Sequence, residues 1–142
     1  MIQNDNLNFS AAEIGIIVHA TEEKDKILEH LDSTLGVSPA SFFTGFAEGH
    51  WGNKILLLTA ILGKSEANSL YMKIKSILGD KDSALLSKFF DEKGNLYMRL
   101  DKQRICRGKV TLSEGDSVRI KFKPILAHGP RNSALNRRKT WC

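Results

Sequence analysis

The stretch DEKGNLYMRLDKQ, residues 91–103, turns a helix into a sheet and thereby sets the architecture. Lys93-Gly94-Asn95 is a helix stop and turn signal, because glycine and asparagine tolerate backbone angles that end a helix. Behind it Leu96, Met98 and Leu100 alternate with Tyr97, Arg99, Asp101 and Gln103. Side chains on a strand point to opposite faces in turn, so this period of two predicts a strand with one apolar and one polar face. The stretch also straddles a reversal of charge. Residues 1–98 hold 9 Lys+Arg and 13 Asp+Glu, a net of −4, and residues 99–142 hold 12 and 3, a net of +9, which together make the +5 of the chain. Positive charge concentrated in one third of a sequence is an address for polyanions, RNA foremost.

Downstream, Val118–Lys123 repeats the alternation, with Val118, Ile120 and Phe122 expected inward and Arg119, Lys121 and Lys123 outward; Pro124 stops the strand. Upstream, Asp80 is placed to cap a helix carrying Leu85, Leu86, Phe89 and Phe90. Before it, Ala67, Leu70, Tyr71, Ile74, Ile77 and Leu78 have the spacing of an amphipathic helix that ends at Gly79. Lys54–Leu62 reads as a strand apolar on both faces, joined through the Gly49–Asn53 loop to a strand over Ser41–Ala47. Glu13–Ala20 reads as the first strand, and Thr21 as the cap of a first helix that carries Ile27, Leu28, Leu31 and Leu35 and stops at Gly36. The order is β-α-β-β-α-α-β-β without repeated βαβ units. It predicts an α+β fold, a two-layer sandwich of a five-stranded, mostly antiparallel sheet with helices packed on one face.

With 142 residues, 42% of them hydrophobic, the chain suits one domain over residues 11–124. Residues 1–10 are polar and read as a flexible N-terminus; residues 125–142, without an acid, read as a basic tail that a partner orders. Cys106 and Cys142 have neither disulfide nor zinc spacing, and the first residues lack the charged and apolar regions of a leader. These features point to a cytoplasmic protein with reduced thiols.

Three groups of residues are candidates for binding RNA. On the sheet and the segment between its last strands, Arg99, Lys102, Arg104, Arg107, Lys109, Arg119, Lys121 and Lys123 are candidates for phosphate contacts, Gln103 for hydrogen bonds, and Tyr97 for stacking. The same residues also fit a solvated face with an Arg99–Asp101 pair. In GHWGN, residues 49–53, His50, Trp51 and the following Lys54 can meet a base and its phosphate, or Trp51 can fold back and close an edge of the core. In the tail, Arg131, Arg137, Arg138 and Lys139 form the third group. His19, His30, His50 and His128 are scattered, and no phosphate loop, GxSxG or CxxC occurs, so no cofactor, metal or catalytic residue is assigned. The rival readings are a ribosome-associated adaptor and, with less support, a metal-dependent phosphodiesterase built from His50, Asp101 and Lys102.

HATEE at residues 19–23, GHWGN at 49–53 and DEKGNLYMRLDKQ at 91–103 together resemble a family of small archaeal proteins described as RNA-binding and exosome-associated, over roughly residues 12–123. The resemblance implies a compact α+β domain similar to the large-subunit ribosomal protein that contacts 5S rRNA. It also implies no catalytic activity, a role in RNA processing or degradation, and exosome or ribosome components as partners beside RNA. Lys54 stands where the family commonly has proline after its second motif.

Overall fold

The computed structural model describes residues 9–49, 51–113 and 115–125. Five strands, β1 (Phe9–Val18), β2 (Phe42–Glu48), β3 (Lys54–Leu62), β4 (Leu96–Asp101) and β5 (Ser117–Pro124), form one sheet in the order β2-β3-β1-β5-β4. Every neighbouring pair is antiparallel. Helix α1 (Lys24–Leu35) carries the chain from the central strand to the β2 edge, and α2 (Lys64–Leu85) carries it from β3 to the opposite edge. A single turn, α3 (Lys102–Ile105), follows β4. The expected α+β architecture is therefore the one observed.

The core forms between one face of the sheet and the two long helices. Ile14 and Ile16 of β1, Leu58 of β3, Met98 of β4 and Phe122 of β5 are buried against Leu31 of α1 and Ile74 of α2. These are the inward positions of a period of two on the strands and of helical spacing on the helices. Phe9, Tyr71 and Phe122 close one end with ring centroids 5.0–5.6 Å apart, a geometry that favours edge contacts between aromatic quadrupoles.

Several boundaries differ from the sequence reading, each for a local reason. The first strand starts at Phe9, not Glu13, because the Asn68 amide accepts from the Phe9 N–H and donates to its carbonyl, both at 2.9 Å, while the Phe9 ring is buried. Helix α1 starts at Lys24 instead of after Thr21, since the Glu22 carboxylate accepts from the His19 N–H and is drawn into a buried ion pair described below. Gly79, at φ 82° and ψ 171°, interrupts α2 where the stop was expected. The segment beyond it is helical only to Leu85 and continues as a tight 3-10 turn, Leu86–Phe89. Of its four expected apolar anchors only Leu86 is buried.

The reading of β3 as buried on both faces is corrected. Leu58, Ala60 and Leu62 are buried, whereas Leu57, Thr59 and Ile61 are exposed, because both helices pack on the same side and leave the other side of the sheet open. Strand β4 ends at Asp101, whose Oδ1 accepts from the Arg104 N–H and starts α3, so Gln103 leaves the strand face.

Candidate nucleic-acid interface

The uncovered face is ordered by register. One row across it reads Phe43, Thr59, Gly15, Arg119 and Arg99 on β2, β3, β1, β5 and β4; the next reads Ile61, Glu13, Lys121 and Tyr97 on β3, β1, β5 and β4. The β2–β3 half is thus apolar and the β5–β4 half basic. Arg99 and Arg119 are direct cross-strand partners and both exposed. Like charges in that position cost a sheet roughly 0.2–1 kcal/mol, a penalty that an anion lying between the guanidinium groups removes. Gly15 leaves space beside Arg119: a Cβ there would stand 4.0 Å from Nη2. The Lys121 ammonium lies 5.6 Å from the centroid of the Tyr97 ring, within cation–π range. Glu13, Gly15, Thr59, Tyr97, Arg99, Arg119 and Lys121 line a shallow groove of about 410 Å³ over this centre.

Not every candidate cation is available. Lys123 is paired with Glu13. Lys102 was expected on the surface, but its side chain is 0% exposed and its ammonium donates to the Ile17 carbonyl at 2.7 Å, Glu22 Oε1 at 2.8 Å and Asp116 Oδ2 at 2.9 Å. It leaves the set of phosphate contacts for a physical reason: an ammonium with three oxygen acceptors inside the protein has no donor left for RNA. Gln103 Nε2 also donates to Glu22, at 3.2 Å. Two of the sequence motifs therefore meet here, since HATEE supplies Glu22 and DEKGNLYMRLDKQ supplies Lys102 and Gln103. Burial raises the Glu22 pKa, but the hydrogen bonds from Lys102 and the His19 backbone outweigh it and hold the carboxyl below its ordinary value.

His19, Glu22 and Asp116 offer ligand atoms within 4.8 Å of one another, a cluster that sequence spacing does not reveal because it joins the HATEE motif to the distant residue before β5. The Lys102 ammonium already supplies the positive charge that this cluster needs. Of the expected phosphodiesterase constellation, Asp101 is spent on capping α3 and Lys102 is buried; His50 lies outside the described residues. Cys106 is a free thiol whose pKa is pushed up by burial and then by Glu22, the opposite of an activated nucleophile.

The remaining candidates that the structure describes occupy one end of the sheet. Arg104, Arg107 and Lys109 are exposed on the α3 turn and the loop after it, beyond the Asp101 end of β4. Trp51 tips the β2–β3 hairpin at the same end but at the other edge, 87% exposed, so it does not close the core. Both glycines of GHWGN shape this tip: Gly52 has φ 80°, and a Cβ on Gly49 would meet Asn53 Oδ1 at 2.7 Å. Lys54 is exposed opposite Glu48. Arg131, Arg137, Arg138 and Lys139 lie outside the described residues. At the start of the third motif, Asp91 accepts from the Lys93 and Asn95 N–H groups and from the Asn95 side chain, each at 2.9 Å, and the Asn95 side-chain bond leads the effects that lower its pKa. That part of the motif builds the turn into β4.

Comparison with known proteins agrees with this architecture. The chain is 34% identical over 122 residues to the RNA-binding protein PAB1135 of Pyrococcus abyssi, covering 78% of this chain and 79% of that one. Protein Mth689 of Methanothermobacter thermautotrophicus, a DUF54 protein, superposes with a TM-score of 0.68 at 29% identity, over 82% of this chain and 85% of its own. Protein AF2318 of Archaeoglobus fulgidus gives 0.68 at 28%, over 81% and 86%. A family model described as RNA binding matches residues 11–124, and the chain belongs to that family.

Proposed function

We propose that the chain is a non-catalytic RNA-binding protein that holds phosphates on the basic half of its open sheet face. The observation that carries this reading is the Arg99–Arg119 pair: two exposed guanidinium groups directly opposite each other, beside Lys121 and over a glycine. Such an arrangement weakens the free sheet and strengthens a phosphate complex. Membership of the RNA-binding family and the name of the Pyrococcus abyssi relative support RNA as the polyanion. Arg104, Arg107 and Lys109 extend the basic surface past the end of β4. Action in archaeal RNA processing or exosome-linked degradation is part of the proposal; cosedimentation of the chain with the exosome or with ribosomal subunits in cell extract separates that role from an adaptor on the ribosome.

Fluorescence anisotropy of a labelled RNA tests the phosphate surface. Arg99→Ala/Arg119→Ala is expected to weaken binding roughly tenfold or more, by similar factors for unrelated sequences, because phosphates carry no sequence information. Unchanged affinity in the double variant would remove the sheet face from the interface.

A further inference from the structure

The outer edge of β4 is closed at two points. Leu96 bridges to Phe90, and Leu100 bridges to Leu112, with the Asp101 N–H donating to Thr111 and the Ser113 N–H to Arg99, each at 2.9 Å. Between these bridges a groove of about 670 Å³ wraps around the edge, lined by Leu85, Phe89, Tyr97, Arg99, Leu112 and Ser113. Leu85, Phe89 and Tyr97 are 38–45% exposed, so three large apolar side chains leave part of their surface in it. Its size falls within the about 300–1,000 Å³ of small-molecule sites, and like them it is apolar with a few polar groups. Tyr97 and Arg99 line this groove and the shallow groove on the open face alike. The phosphate surface therefore continues directly into an apolar, aromatic cleft.

We infer that this cleft receives one unpaired nucleobase, stacked on Phe89 and Tyr97, while Arg99 holds the adjoining phosphate. The inference rests on reading the open face as a phosphate surface and adds a preference for single-stranded RNA. A paired base has its ring faces covered by its neighbours and cannot enter an edge cleft without leaving the helix. Aromatic stacking accepts any base, so the cleft confers strandedness and not sequence. An anionic strand with flat apolar rings fits both parts of the site at once, the basic face through its phosphates and the aromatic cleft through a base; docking of a second copy through the exposed Phe46 and Glu48 of edge strand β2 is the competing outcome that the test separates.

The test compares three probes on the full chain: a single-stranded RNA decamer, an all-abasic decamer with the same number of phosphates, and a duplex of the same length. The wild type should bind the intact strand roughly 5- to 150-fold more tightly than the abasic one. Phe89→Ala, outside the phosphate surface, should shrink that ratio while leaving duplex affinity within about twofold, and Tyr97→Ala should shrink it as well. Tyr97 is half exposed, so its variant keeps the fold even if Phe89→Ala melts early. Equal affinity for intact and abasic strands, or an unchanged ratio in both variants, overturns the inference while the arginine double variant still reports on the phosphate surface. A wild-type dimer that Phe89→Ala converts to monomer would also overturn it, by giving the cleft to a second copy.

Discussion

Lys102 and Arg119 carry the same charge and opposite roles, and burial decides between them. Lys102 is enclosed by three oxygens; Arg119 stands exposed across from another arginine. Lys102→Met would leave the Glu22 and Asp116 carboxylates facing each other without a cation. We expect a loss of about 3 kcal/mol, or roughly 10 °C in Tm, with little change in RNA affinity of the folded protein, read by thermal melting and anisotropy. Glu22 adds a pH dependence. Its folded-state pKa lies below the ordinary carboxyl value of 4.5, so the stabilisation is fully present at neutral pH and fades as pH falls below 4.5 through the folded value. Glu22→Gln should cost about 1.5–3 kcal/mol at pH 7 and less at pH 3, because the wild type has by then lost part of the same interaction. An equal cost at both pH values would show that Glu22 acts by packing and not by charge.

At the scale of elements, the Asn68 side chain ties the start of the central strand to α2. Asn68→Ala should leave the Phe9 N–H and carbonyl without these bonds and lower stability by about 1–2 kcal/mol, with amide exchange accelerating first at Phe9–Ala11. This anchor was not legible in the sequence, since an asparagine one turn inside a helix has no pattern linking it to a residue 59 positions earlier. The strands themselves were legible because Leu96, Met98, Leu100 and Val118, Ile120, Phe122 alternate with polar residues whichever partner they find. β3 was misread for the complementary reason: Leu57 and Ile61 are apolar in sequence whether a helix covers them or not, and only the placement of both helices on one side exposes them. The candidate site divides in the same way. Arg119 and Lys121 follow from alternation, whereas the burial of Lys102 depends on Asp101 ending β4 and turning the next side chain inward toward Glu22 and Asp116. Gly79 was readable as a helix stop, and Gly79→Ala should cost about 1 kcal/mol or more in a melting experiment because φ 82° suits no side chain.

Across the whole molecule, the helices give one side of the sheet to the core and leave the other as a platform whose charge runs from apolar at β2–β3 to basic at β5–β4. The fold and the charge reversal of the sequence serve the same end, because β4 and β5 both come from the basic part of the chain and lie side by side. The central claim is that Arg99 and Arg119 on this platform neutralise RNA phosphates. The salt dependence of binding measures this most directly, since each phosphate contact on a single strand contributes about −0.7 to the slope of log K against log salt. The Arg99→Ala/Arg119→Ala variant should therefore show a slope shallower than that of the wild type by roughly 1.4. Identical slopes for the two proteins would contradict the account.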